Sequence, residues 1–142
     1  MASWREVASQ QAQEDLDGLM DQSFPFAQRM LAAHGEFFPY AVGLSQSGEV
    51  RMFAADPGES DHPPSTDVLR GLVDGLRSER NALRAVAVTS DVRVADSDAI
   101  RVELEHRDGI AISVLLCYRE ANGDGIEYGA LTAGPGEPNV WA

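Results

Sequence analysis

The chain has no lysine: all eleven of its basic residues are arginine. That excludes a Schiff-base lysine and the lysine of a phosphate-cradling P-loop. It has one cysteine, Cys117, so neither an intrachain disulfide nor a multi-cysteine zinc site can form. No apolar run approaches the roughly 20 residues that cross a bilayer. The opening Met-Ala-Ser-Trp-Arg-Glu lacks the apolar centre and small-residue cleavage site of a signal peptide. A cytoplasmic protein is the expectation.

Charge of one sign is also scarce. Eleven basic residues face 23 acidic ones, giving a net charge of −12. Proteins that hold nucleic acid do so by neutralising phosphates, so this balance argues against such a role, and equally against an anionic membrane surface. A basic protein partner fits it. The 142 residues, 44% apolar and 24% charged, have ordinary globular composition and predict a single domain over 1–142, with an irregular tail over 133–142. A chain of this length buries about 68–70% of its unfolded surface and needs no covalent staple.

The clearest pattern lies between Ala85 and Tyr118. Three runs, Ala85–Val94, Ala99–His106 and Ile110–Tyr118, place apolar residues on even numbers, the period of a sheet with one buried face. The turn Arg107-Asp108-Gly109, with glycine for a positive φ, pairs His106 with Ile110, Leu104 with Ile112, Val102 with Val114 and Ile100 with Leu116. The same logic across Ala95–Ala99 sets Val94 opposite Ile100 and Val92 opposite Val102. The odd-numbered face carries Arg93, Arg101, Glu103 and Glu105 among small residues. It reads as a solvated outer face or as a polar surface that receives a partner.

Upstream, Ser3-Trp4-Arg5-Glu6 has the form of a capping box, and Trp4, Ala8, Ala12, Leu16, Leu19 and Met20 make one apolar helical stripe. Pro25 should end or bend that helix, with Ser23 capping a second one that stops at Gly35. A hairpin over Tyr40–Ala55 turns at Gln46-Ser47-Gly48, pairing Leu44 with Val50 and Val42 with Met52. An acidic, proline-rich loop, Asp56 to Pro64, leads to a helix over about Asp67–Arg80, capped by Ser65 or Thr66. Ile126–Thr132 reads as a further strand. The fold class is therefore α+β: one mostly antiparallel sheet of five or six strands, hairpin plus C-terminal meander. Two N-terminal helices and one central helix are expected on its even-numbered face.

Motifs for chemistry are sparse. Gly43-Leu-Ser45-Gln-Ser47 misses the nucleophile-elbow pattern at its fifth position and sits in a hairpin turn. His34, His62 and His106 fall on a helix end, a loop and a strand end, a spacing that suggests no metal site. Glu103 and Glu105 share a strand face, as acid–base pairs do and as solvated strands do. No cofactor is implied. The densest patch is His34-Gly-Glu36-Phe37-Phe38-Pro39-Tyr40. There His34, Glu36 and Tyr40 could line a small-ligand pocket, or the aromatics could plug the base of the sheet.

That segment, followed by Ser47-Gly48-Glu49-Val50, resembles a group of small acidic bacterial proteins with no known activity. The likeness runs through Ile100–His106 to Gly136-Glu-Pro and Trp141. It carries over no functional residue.

Three readings of function follow. The leading one is a non-catalytic binding or accessory module, an immunity-like protein that masks a basic partner. Its surfaces would be the Asp56, Glu59 and Asp61 loop and the strand face with Arg101, Glu103 and Glu105. The second is a ligand-binding protein or enzyme with its pocket at His34, Glu36 and Tyr40. The third is a structural homodimer joined through sheet edges or faces.

Overall fold

The structure is a computed structural model that describes residues 4–53, 65–121 and 125–141. A short helix, α1 (Trp4–Val7), precedes the long helix α2 (Gln10–His34). Then come β1 (Tyr40–Ser45), β2 (Val50–Phe53), α3 (Ser65–Glu79), a single 3₁₀ turn (Arg80–Ala82) and β3 (Leu83–Val94). The strands β4 (Ser97–His106), β5 (Ile110–Ala121) and β6 (Gly125–Pro135) complete it. All six strands form one antiparallel sheet in the order β2-β1-β3-β4-β5-β6. The α+β class, the hairpin and the meander are as the sequence indicates.

The N-terminal region differs from expectation. The cap of α2 is Ser9, whose Oγ accepts from the Ala12 amide at 3.1 Å, and Ser3 lies outside the described residues. The helix also runs unbroken through Pro25. Proline withdraws one N–H from the helical ladder and crowds the preceding turn. Two residues before the proline, the Tyr40 hydroxyl donates to the Ser23 carbonyl from outside the helix at 2.5 Å. Ser23 is thus a buried mid-helix residue and caps nothing. The helix stops where expected, at Gly35, whose left-handed φ of 74° directs its N–H to the Leu31 carbonyl.

One face of α2 (Ala12, Asp15, Leu16, Leu19, Ser23, Ala27, Leu31) is buried against the sheet at helical spacing. It meets Tyr40, Val42 and Leu44 of β1 and Ile100, Val102 and Leu104 of β4, together with Ala85 and Ala87 of β3. The odd residues of β3 therefore share a face with the even residues of its neighbours. The reason is the β3–β4 turn. It has two residues, Ala95 and Asp96, not five, so Val94 pairs with Ser97 and Val92 with Ala99. A shift of three residues, an odd number, turns the even valines of β3 to the opposite face.

There Val86 and Val88 pack with Ala41 and Leu83 under Val68, Leu72 and Leu76 of α3. Both faces of β1 and β3 are consequently covered, α2 on one side and α3 on the other, rather than all helices on one face. The β4–β5 register matches the three-residue turn at Gly109, whose φ is 95°. The last strand is longer than the sequence suggests, reaching Pro135. The Gly136 amide donates to the Ala111 carbonyl at 3.0 Å. Alternation along the strand then points the missing N–H of Pro135 outward, where an edge strand tolerates proline.

Candidate functional site

At the helix-to-strand junction, Tyr40 is buried, its ring edge-on to Phe26 at 4.7 Å and tilted to Phe37 at 5.9 Å. Burial pushes its phenol up to about 12, against the pull of the Thr89 hydroxyl, the Ala27 backbone and the Arg29 charge. His34 and Glu36 are exposed on either side of the Gly35 turn. Tyr40 is thus enclosed in the core while His34 and Glu36 face solvent. Tyr40 instead braces the proline-bearing turn of α2. Glu36 contributes its charge to a different neighbourhood, that of Asp91. Burial first, then Asp98 and Glu36, raise the Asp91 carboxyl, opposed by the hydrogen bond it accepts from Tyr118 at 2.5 Å. Burial and that same carboxylate push the Tyr118 phenol up in turn.

A second ionisable group is fully enclosed. Asp15 of α2 and His106 at the end of β4 are 5% and 2% exposed. The Asp108 amide donates to His106 Nδ1 at 3.2 Å, so the ring proton sits on Nε2 and is donated to Asp15 Oδ2 at 2.9 Å. The other oxygen, Oδ1, accepts from Gln11 at 2.8 Å and Arg84 at 3.1 Å. Burial would raise the Asp15 carboxyl, but the hydrogen bonds from His106 and Gln11 and the Arg84 charge together hold it below the usual range. An aspartate orienting a histidine is also part of hydrolase triads, which need the far nitrogen open to a nucleophile. Here that nitrogen is spent on a backbone amide. The pair fastens helix to sheet.

The strand-face residues divide three ways. Glu103 is exposed and Arg101 is half-buried, with its Nε lacking a partner among the described residues. Glu105, expected on a solvated face, is only 5% exposed. Its carboxylate receives three successive backbone amides: Asn139 at 2.7 Å, Val140 at 3.0 and 3.1 Å, and Trp141 at 2.7 Å. Opposite, Arg77 donates to the Asn139 carbonyl at 2.5 Å and Arg80 to the Val140 carbonyl at 3.4 Å. Val140, 2% exposed, joins the core beneath α3. The segment thus lies in a groove between α3 and the sheet, its donors on a carboxylate and its acceptors on guanidiniums. The tail proline and Trp141 are the sequence signals for a docked segment. Nothing local to Glu105 marks it as the dock.

Beyond Asn139 the groove stays open as a cleft of about 380 Å³ between α3 and β4, lined by Leu69, Arg70, Val73, Arg77, Val88 and Glu103. Asp56, Glu59, Asp61 and His62 lie outside the described residues. Among the described residues no group of three or more His, Cys, Asp and Glu could hold a metal ion, and Cys117 is a half-buried free thiol within β5. No described helix is long and apolar enough to cross a membrane. No family model matches the chain, and neither the curated proteins nor the solved structures searched contain a match.

Proposed function

We propose that this chain is a small acidic binding module of the cytoplasm, without catalysis of its own, that engages a basic protein surface in the manner of an accessory or immunity-type protein. The supporting observation is how the charges are used. Arg5, Arg51, Arg93 and Arg119 pair with Asp17, Glu79, Asp98 and Glu127. Arg84 and Arg107 are held by Asp15 and Gln46, and Arg77 and Arg80 by backbone carbonyls. Much of the positive charge is turned onto the chain itself. Asp21, Glu36, Glu103 and Glu120 are exposed without an ion-pair partner among the described residues. The outward field is negative, which steers a basic partner and repels nucleic acid and anionic lipid.

The experiment is capture of cellular partners by the intact protein at about 0.1 M and about 1 M salt, where the screening length falls from roughly 10 to 3 Å. A stoichiometric basic partner, lost at high salt and lost on the double charge reversal Glu36→Arg and Glu120→Arg, is the expected result. Retention in high salt, or an acidic partner, rejects it.

A further inference from the structure

The seated segment shows what the groove holds, and the open cleft repeats the same elements. Glu103 precedes Glu105 by two residues on β4, one step of about 6.6 Å along the same face. Arg70 precedes Arg77 by seven residues on α3, two turns or about 10.5 Å along one stripe. Thr66, Leu69, Arg70, Val73 and Arg77 all line the cleft, the i, i+3, i+4, i+7, i+11 spacing of one helix face. Between carboxylate and guanidinium lies an aliphatic floor of Leu69, Val73 and Val88, as Leu72, Leu76 and Val86 lie around Val140. On the same face of β4, one step further, Arg101 keeps a buried Nε without a partner among the described residues.

We infer that the open half of the groove is a docking site for an extended peptide segment of a partner protein, carrying a valine- or isoleucine-like side chain. Its amide N–H groups go to Glu103, its carbonyls to Arg70, and its aliphatic side chain to the Leu69–Val73–Val88 floor. Two arginines against Glu103 and Asp74 leave the cleft near neutral, which suits an uncharged backbone better than a charged ligand. This rests on the reading of the protein as a binding module and gives it a second surface, which shares Glu103 with the acidic one.

The probe is acetyl-Asn-Val-Trp-amide, titrated into the intact protein and followed by amide chemical shifts. Saturable shifts at Leu69, Val73, Val88 and Glu103 are expected. They should weaken about tenfold when Glu103→Ala or Arg70→Ala removes one charge-assisted partner. Both side chains are exposed, and an unchanged thermal melt checks that each variant folds. No saturable shift, or equal affinity in the variants, overturns the proposal. So do shifts confined to Glu105 and Asn139–Trp141, which mean that the probe only displaces the chain's own segment. Saturation of the same amides by raising protein concentration alone assigns the cleft to a second copy and also overturns it. If the peptide fails while salt-sensitive capture of a basic partner survives, the groove is rejected and the binding module stands.

Discussion

Asp15 and His106 are 91 residues apart in sequence and 2.9 Å apart in space. Between them they tie the first turns of α2 to the far end of β4. Removing Asp15 leaves the His106 Nε2–H and its other donors without an acceptor in the interior, a loss of about 1–3 kcal/mol, more where the partner is charged. Asp15→Ala should fall in that range by urea denaturation. A cycle with His106→Ala should show strong coupling, since the second substitution adds little once the first is made.

The same aspartate sets a pH dependence. Its carboxyl is lowered on folding, so its contribution is complete above the ordinary carboxylate range and is lost as pH falls through the folded value. Asp91 has the opposite sign. Its raised carboxyl favours the protonated form in the folded state, so ionisation erodes stability as pH rises past the ordinary range. Asp91→Asn keeps an oxygen for Tyr118 and should raise the urea midpoint at pH 7. That gain should shrink as pH falls through the carboxylate range and the wild-type carboxyl takes up its proton. A gain that persists in acid would contradict the assignment.

Glu105→Gln leaves one oxygen for three amides. The expected cost is about 1–3 kcal/mol for donors left without acceptors. Hydrogen exchange should localise the change to Asn139, Val140 and Trp141. In a Trp4→Phe background, Trp141 emission should shift to the red as the segment leaves the groove.

Two glycines separate backbone from side-chain crowding. A Cβ at Gly136 would lie 2.9 Å from the Ile112 carbonyl carbon and 3.0 Å from its nitrogen, atoms fixed in the ladder. Gly136→Ala should cost about 1–3 kcal/mol. At Gly43 the nearest atom, also at 2.9 Å, is Cε2 of the half-buried Phe53 ring, with Leu83 Cδ2 at 3.1 Å. These side chains can turn aside, so Gly43→Ala should cost less. Equal losses would mean that the side chains near Gly43 are held as firmly as backbone.

Ala95 takes a φ of 54°, the left-handed region that an alanine enters at a cost of about 1–2 kcal/mol. Ala95→Gly should therefore stabilise the β3–β4 hairpin by about 0.5–1 kcal/mol, net of the added freedom of the unfolded chain. A lower melting temperature would show that the turn does not need this conformation.

That alanine also explains what the sequence hid. Glycine announced the turns at Gly48 and Gly109, and their registers could be derived by hand. Ala95-Asp96 carries no such signal. Its flanking strand β3 alternates small and large apolar residues, Ala85, Val86, Ala87, Val88, because both of its faces are buried. Period-2 reasoning needs a polar face to distinguish the sides, and here the difference is one of size. The helix stop at Gly35 and the amphipathic stripes of α2 and α3 were legible because each is local. The Ser23–Tyr40 bond, the Asp15–His106 pair and the Glu105 dock were not, since each joins residues far apart in sequence. Of the residues first singled out, Glu103 lines the open cleft and Glu105 is already occupied by the chain's own backbone.

The strand order bears on how the chain finds this structure. From β3 to β6 each strand pairs with its successor, so the meander closes through short loops and is the cheapest part to assemble. β1 must reach across α3 to join β3, and α2 must span the greater part of the chain to meet His106. The nucleus should accordingly lie in β4–β5, with transition-state φ-values high at Val102 and Val114 and near zero at Asp15. The N-terminal half would then act as a late-docking element, and the buried Asp15–His106 hydrogen bond would govern how fast the protein unfolds rather than how fast it folds.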